Sequence, residues 1–68
     1  MNFPVLLSEE QLTFGVRLRL VRIRFGWSQD ACAVHMGVHR TTWINWEADR
    51  TTPLPVYRAK ISQLWPEL

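Results

Sequence analysis

The sequence lacks the features of an exported or membrane-anchored domain. It has one cysteine, Cys32, which cannot form a disulfide within the chain. No basic segment followed by a long apolar run indicates export or a membrane span. Three glycines and four prolines are too few for a low-complexity chain, and 47% hydrophobic residues are too many for a disordered one. We therefore expect a folded domain in the cytoplasm.

Residues typical of catalytic and cofactor sites are scarce as well. We find no Gly-rich phosphate loop and no pair of a nucleophile with a general base. Cys32, His35 and His39 have the spacing of metal ligands. Gly37, however, interrupts the continuous helix that two such histidine ligands need. The sequence therefore predicts that the protein is not an enzyme and binds no metal, cofactor or small-molecule substrate.

Length and charge indicate one small, basic domain. A chain of 68 residues has room for a single domain, and a domain of that size buries only about 60% of the surface that its unfolded chain exposes. Its core is therefore marginal, which favours association between copies. Eight basic residues against six acidic ones give a net charge of +2, and seven of the eight are arginine. Arginine suits both phosphate contacts and buried ion pairs.

The first predicted helix follows a short N-terminal arm. Residues 1–7 contain a proline and show no helical period, so we interpret them as an extended arm. Residues 8–11, Ser-Glu-Glu-Gln, have the form of a capping box, which starts a helix. Nothing breaks the helical pattern before Gly26, apart from a tolerated Gly15. These signals predict a helix over about residues 9–25.

Three shorter helices are predicted further along the chain. Ser28 is a typical N-cap, and Gly37 supplies the turn after the helix that Ser28 begins. Pro55 suits the first turn of a later helix, and Pro66 ends it. The predicted ranges are about 28–36, 38–48 and 55–65. Because no segment alternates with the period of a strand, the sequence predicts an all-α fold, a compact bundle of four or five helices in one domain over residues 1–68.

The second and third predicted helices have the arrangement of a helix-turn-helix over residues 28–48. In that arrangement the first helix lies across the DNA backbone and the second enters the major groove. A closer resemblance is carried by Gly26-Trp27-Ser28-Gln29, Ala33, Met36-Gly37-Val38, Thr42, Trp46-Glu47 and Pro53. Through them, residues 14–65 resemble the phage repressor and Cro family, of the xenobiotic-response-element type. The resemblance implies a lambda-repressor-like fold that binds double-stranded DNA.

The sequence departs from that family at two points. Asp49 lies where the family usually has a glycine after the recognition helix, and aspartate adopts the left-handed backbone conformation less readily than glycine. Four helices are predicted where the family usually has five. The family's usual C-terminal dimer surface is therefore not expected here.

Base contacts are expected from the outward face of the third helix. Trp43 and Trp46 are three residues apart and should pack inward with Cys32 and Met36. The other face then presents Arg40, Thr41, Ile44 and Asn45. Arginine can bind O6 and N7 of guanine, asparagine can bind N6 and N7 of adenine, and the isoleucine and threonine methyl groups can contact a thymine methyl. Each such contact discriminates between bases by ~1–3 kcal/mol.

Phosphate contacts are expected at helix N-termini and after the third helix, because free N–H groups and the helix dipole favour an anion there. Our candidates for these contacts are Ser28, Gln29, His39, Arg50 and Thr51. Gln29 leads them, and Arg50 and Thr51 are implied by the family resemblance. By the same resemblance, Arg22 and Glu47 correspond to a structural ion pair that joins the first helix to the third.

The first helix carries two apolar stripes with arginines between them. One stripe consists of Phe14, Leu18, Val21 and Phe25. The other, nearly opposite, consists of Leu12, Val16, Leu20 and Ile23. Two stripes need two partners, so the second is covered either by the arm at residues 1–7 or by a second copy. We favour a homodimer, because proteins that bind inverted repeats are commonly two-fold symmetric.

These features predict a sequence-specific regulator of transcription, most simply a small dimeric repressor that blocks a promoter, including its own. Its operator would be an inverted repeat in double-stranded DNA. The resemblance extends to Cro-like, antitoxin and anti-CRISPR-associated regulators of phages and mobile elements. The main alternative is a protein-interaction module with the same fold, which would bind a toxin, a polymerase or another protein. RNA binding is a less favoured alternative, because the sequence predicts no sheet with aromatic residues that could stack on single-stranded bases.

Overall fold

The structure, a computed structural model, describes residues 12–68. This part contains no strand and four helices: α1 (Phe14–Arg24), α2 (Gln29–Met36), α3 (Arg40–Glu47) and α4 (Pro55–Leu64). Helix α3 packs against both α1 and α2, and α4 packs against α2. The predicted all-helical fold is thus confirmed for residues 12–68, whereas the predicted arm at residues 1–7 lies outside them. Within the same range, every helix is too short or too polar to cross a membrane.

Helix α1 begins later than the sequence predicts. Its N-cap is Thr13, whose Oγ1 accepts a hydrogen bond from the N–H of Val16 at 3.1 Å. Leu12 and Thr13 are not helical, so the prediction of one continuous helix over residues 9–25 is wrong. The capping box at residues 8–11 lies outside the described part of the chain. A threonine cap satisfies one of the free N–H groups in the first turn, which allows α1 to begin at this point.

Helices α2 to α4 lie close to their predicted positions. Ser28 caps α2, and its Oγ accepts a hydrogen bond from the N–H of Ala31 at 3.0 Å. Gly37 ends α2 with a left-handed φ of 73°, which glycine adopts without a steric penalty. His39 then precedes α3 as its N-cap, so that a short turn separates the two helices. Pro55 is at the start of α4, as predicted.

The core is built largely from tryptophan. Trp43 is fully buried, and its ring centroid lies 5.7 Å from that of Trp46 and 6.4 Å from that of Trp65. The other buried hydrophobic side chains are Leu18, Val21, Cys32, Ala33, Met36 and Ile61. The inward packing predicted for Trp43 and Trp46, with Cys32 and Met36, is thereby confirmed. Because each aromatic ring buries a large apolar area, a few residues suffice to form the core of this short chain.

Phe25, which helical spacing groups with Phe14, Leu18 and Val21, is not in the core. Phe25 is 53% exposed, although its place in the helical period suggested burial. Helix α1 ends at Arg24, and Phe25 is its C-cap. Its ring stacks on Trp65 with 6.1 Å between centroids.

Candidate nucleic-acid interface

The inner face of α3 is held by the buried carboxylate of Glu47, a residue that is 7% exposed. Its Oε2 accepts hydrogen bonds from Trp43 Nε1 and Arg22 Nε, each at 2.5 Å. Its Oε1 accepts from Gln29 Nε2 at 3.1 Å and from Arg22 Nη2 at 3.2 Å. We refer to Arg22, Gln29, Trp43 and Glu47 as the Glu47 cluster. Donors from three helices meet one carboxylate, which compensates the cost of burying its charge.

Arg22 extends this cluster to the connection between α1 and α2. It forms with Glu47 the ion pair expected from the family resemblance, and its side chain is only 12% exposed. Its Nη1 also donates to the main-chain oxygen of Trp27 at 2.8 Å. The guanidinium therefore fixes the chain at the entry to α2 as well as the end of α3.

Asp49, just after α3, links that helix to the beginning of α1. Its backbone is left-handed, with a φ of 60°. Its Oδ1 accepts a hydrogen bond from the Gly15 N–H at 3.0 Å, and its Oδ2 accepts one from Thr13 Oγ1 at 2.5 Å. A carboxylate at a helix N-terminus is favourable, because free N–H groups and the dipole attract negative charge. From the sequence, Asp49 was notable only because the resembled family usually has glycine there. Its capping of α1 was not predicted.

Gly15 is required by the close approach of α1 to the end of α3. A Cβ at this position would lie 2.6 Å from the main-chain oxygens of Trp46 and Glu47. It would also lie 2.8 Å from Cγ of Asp49. Backbone oxygens cannot rotate away as the end of a flexible side chain can. The sequence suggested that Gly15 is merely tolerated in the helix. The structure shows instead that the packing of α1 on α3 leaves no space for a side chain there.

The outward face of α3 carries the four residues predicted to contact bases. Arg40 and Thr41, in the first turn of α3, are exposed. Ile44 and Asn45, one turn further along, are half-buried. Residues at these spacings share one side of a helix, and here that side faces away from the tryptophan core. The predicted set is therefore brought together, with its most accessible members at the N-terminal end of α3.

Arg40 makes an ion pair across the turn with α2. Its Nε lies 3.0 Å from Oδ1 of Asp30, and the two side chains are 62% and 73% exposed. Asp30 lies in the first turn of α2. The sequence did not single out Asp30, because nothing local relates it to a residue in the next helix.

The phosphate candidates at the starts of α2 and α3 differ in which hydrogen-bonding groups of their side chains remain available. Ser28 uses its oxygen as an acceptor for the cap, which leaves its O–H free to donate. Gln29 is half-buried and donates from Nε2 to Glu47, so it braces α2 against α3. His39 is exposed, and its side chain makes no capping hydrogen bond at α3.

The phosphate candidates after α3 lie beside a predicted base-contacting residue. Arg50 donates from Nη1 to Asn45 Oδ1 at 3.3 Å, and the Arg50 N–H donates to the main-chain oxygen of Asn45 at 3.0 Å. The N–H of Thr51 approaches the same main-chain oxygen at 3.5 Å. Arg50 and Thr51 are both exposed. The loop therefore folds back onto the end of α3 and keeps the Arg50 side chain beside Asn45.

A separate apolar surface lies on the outer side of α1. Val16, Leu20 and Ile23 are 39%, 52% and 54% exposed, and Leu12 is half-buried. Beside them, a groove of about 440 Å³ runs between α1 and the last residues of the chain, with Leu20, Arg17 and Glu67 in its wall. Of the four residues predicted as a dimer interface, Val16, Leu20 and Ile23 share one side of α1 by their helical spacing, whereas Leu12 precedes the helix.

Cys32 and the histidines do not come together as a metal site. No cluster of three potential ligands is present among residues 12–68. Cys32 is buried in the core, and burial raises the pKa of its thiol to about 11. The ring of His35 lies edge-on to Trp27, with 5.5 Å between centroids.

Comparison with known proteins does not add a relative. The chain matches no family model, no curated protein and no solved structure.

Proposed function

We propose that this protein is a helix-turn-helix regulator of transcription that binds double-stranded DNA through the outward face of α3. The observation that carries the proposal is the contrast between the two sides of that helix. Trp43, Trp46 and Glu47 anchor one side in the core. The other side carries polar groups that can read base edges, of which Arg40 and Thr41 are exposed.

The rigid mounting of α3 supports this use. An α-helix fits the major groove, where each base pair presents its own pattern of donors and acceptors. Helix α3 is tied to α1 and α2 through the Glu47 cluster and to the start of α1 through Asp49. Its backbone is therefore already ordered before DNA arrives, which lowers the entropy cost of binding.

The charge around α3 also supports the proposal. His39 lies just before α3, Arg50 and Thr51 lie after it, and Ser28 lies at the start of α2, so each of these places offers groups that can contact phosphates. The acidic side chains of residues 12–68 each have a partner: Asp30 with Arg40, Glu47 with Arg22, Asp49 with Gly15 and Glu67 with Arg24. Arginine thus compensates the charge of Asp30, Glu47 and Glu67, which reduces repulsion of a phosphate backbone.

The regulator acts as a homodimer in this proposal, with the face of Leu12, Val16, Leu20 and Ile23 as the contact between copies. Half-exposed apolar side chains at helical spacing form a suitable self-complementary surface. Two outward α3 helices would then read an inverted repeat with half-sites about one helical turn apart. In this proposal the protein represses by occupying a promoter, with its own promoter as the first one to test.

The experiment that tests DNA recognition is selection of bound sequences from a random duplex pool, followed by gel shifts at two salt concentrations. We expect a selected sequence that resists scrambled competitor, with an affinity that falls as salt rises. Arg40→Ala should lose the preference at one base pair. Arg58→Ala is the matched control, because Arg58 lies on α4 with its guanidinium over the Phe14 ring. No selected sequence, or equal profiles for the two variants, would contradict the proposal.

The dimer has its own test in sedimentation. Leu20→Glu places a charge in the face on α1 and should give a folded monomer. Val34→Glu is the control, because Val34 is 80% exposed on α2 and lies outside that face. A wild-type monomer, or a Leu20→Glu dimer, would remove α1 as the interface.

The same apolar face favours the second candidate function, a protein-interaction module for a toxin, a polymerase or another protein. Salt separates the two functions, because phosphate contacts weaken steeply with salt and an apolar interface does not. If no duplex is selected at low salt, the proposed function fails and the protein-interaction function is the next to test.

A further inference from the structure

Asp30 is the acidic residue, among residues 12–68, that contacts a predicted base-contacting side chain. Its Oδ1 lies 3.0 Å from Nε of Arg40. Asp30 also follows Ser28 and Gln29 at the start of α2, where the proposed function expects phosphate. The ion pair with Arg40 reduces but does not cancel the repulsion between this exposed carboxylate and a phosphate backbone, so Asp30 weakens binding unless it contributes something to recognition.

Asp30 contacts Arg40 at Nε, and this determines which N–H donors of the guanidinium remain available to DNA. Contact at Nε leaves Nη1 and Nη2 at the end of the guanidinium, and two parallel N–H donors match O6 and N7 of guanine. An arginine side chain without an anchor samples many rotamers and loses that freedom on binding. An ion pair at Nε can limit the planes and directions that the guanidinium samples before DNA arrives.

We propose that Asp30 is a positioning residue for sequence recognition, which orients Arg40 toward guanine and disfavours duplexes without guanine at that place. The inference rests on the proposed function and assigns a role to a residue of the same interface. Specificity is a difference between affinities, so repulsion of wrong sequences contributes to it as much as attraction to the right one.

The experiment measures binding of wild type and variants to the selected duplex, to its single-base-pair variants and to scrambled duplex. Asp30→Asn should reduce the preference at the base pair read by Arg40 about two- to five-fold, or about 0.4–1 kcal/mol, as for an exposed charge pair. It should bind scrambled duplex more tightly. Asp30→Glu should retain the preference. In the Arg40→Ala background, Asp30→Asn should leave the sequence profile unchanged.

Glu67→Gln is the matched control, because it also removes one negative charge from an ion pair, here with Arg24 of α1. It should leave the sequence profile unchanged. Thermal melting checks that each variant is folded, and the 73% exposure of the Asp30 side chain predicts little effect.

Three outcomes would contradict the inference, and they can be told apart. If the wild-type chain selects no sequence, the proposed function and this inference both fail. If it selects a sequence but Asp30→Asn and Glu67→Gln have the same profile, only the inference fails. An Asp30→Asn effect on the profile that persists without Arg40 also overturns it, since Asp30 would then act on something else.

Discussion

The two sides of α3 differ in how strongly their surroundings constrain them. On the inner side, the Glu47 side chain is 4% exposed and accepts hydrogen bonds from three residues. On the outer side, the Arg40 side chain is 62% exposed, and its ion pair is with the equally accessible Asp30. One short helix therefore combines a side that stabilises the fold with a side that is available to a partner.

This difference follows from desolvation. Removing one partner of a buried, hydrogen-bonded charge leaves the other partner without compensation. Removing one partner of an exposed pair returns the other to water, and such pairs contribute only about 0–1 kcal/mol. Substitutions on the inner side should therefore act on folding, and those on the outer side should act on binding. The predictions below test that separation.

The largest effect is expected for Glu47→Ala on the inner side. Arg22 would remain largely buried without its carboxylate, and Gln29 and Trp43 would lose an acceptor. We expect a loss of ~3–5 kcal/mol in the free energy of unfolding, measured by urea denaturation. Glu67→Ala, at an exposed ion pair, should change it by less than about 1 kcal/mol. Equal effects of the two substitutions would contradict the assigned role of Glu47.

A smaller but clear loss is expected for Gly15→Ala where α1 meets the end of α3. Alanine favours helix over glycine by about 1 kcal/mol, so propensity alone predicts stabilisation. The added Cβ would instead lie 2.6 Å from two backbone oxygens, and we expect a net loss of ~1–3 kcal/mol. A raised midpoint in thermal unfolding would show that the helices can separate without cost.

Two substitutions of Asp49 separate the effect of its left-handed backbone on stability from the effect of its capping side chain. Asp49→Ala removes the acceptor for Gly15 and Thr13 and keeps a side chain at φ 60°. Asp49→Gly removes the same acceptor but relieves the left-handed strain. We expect both to destabilise the fold, and alanine to do so by about 1 kcal/mol more than glycine. If glycine is more stable than wild type, the cap contributes less than the strain.

The core beneath α3 predicts a dependence on alkaline pH. Burial raises the pKa of Cys32 from 9.0 to about 11, so the folded state holds the thiol proton more tightly than the unfolded state. Its contribution to stability is complete below pH 9 and is lost as the pH rises through 11. Between pH 7.5 and 9.5 we expect a loss of about 1 kcal/mol or less. Cys32→Ala should show a flatter profile, and identical profiles would exclude this origin.

The smallest effect on stability is expected for Arg40→Ala on the outer side. It should change the free energy of unfolding by less than about 0.5 kcal/mol, although the proposed function expects it to alter DNA preference by ~1–3 kcal/mol. Parallel denaturation and binding curves would measure both quantities. A large loss of stability would show that the two sides of α3 are not separable.

Much of the helical pattern could be predicted from local signals. Ser28 as a cap, Gly37 as a turn and Pro55 as a first-turn residue each act within a few residues of their own position. The start of α1 could not be predicted in this way. Thr13 caps that helix together with Asp49, which is 36 residues further along the chain, and local rules do not include so distant a partner.

The candidate site was predictable to a similar degree. Helical spacing put Arg40, Thr41, Ile44 and Asn45 on one side of a helix, because that depends only on periodicity. The Arg22 and Glu47 pair followed from the family resemblance. The contribution of Trp43 to the same carboxylate, and the contact of Asp30 with Arg40, depend on how α1, α2 and α3 pack.

The sequence by itself determined the helical class, the turns and the division of α3 into an apolar and a polar side, because helix propensity, capping and periodicity operate over one or two turns. Three features became apparent only in the tertiary structure. They are the lack of space for a side chain at Gly15, the capping of α1 by Asp49 and the ion pair of Asp30 with Arg40. Each of these depends on packing between separate segments: a Cβ at Gly15 would lie 2.6 Å from main-chain oxygens at the end of α3, and the contacts of Asp49 with Gly15 and of Asp30 with Arg40 are each 3.0 Å. Hydrogen-bond and packing forces act at that range, and only the folded chain brings those atoms so close.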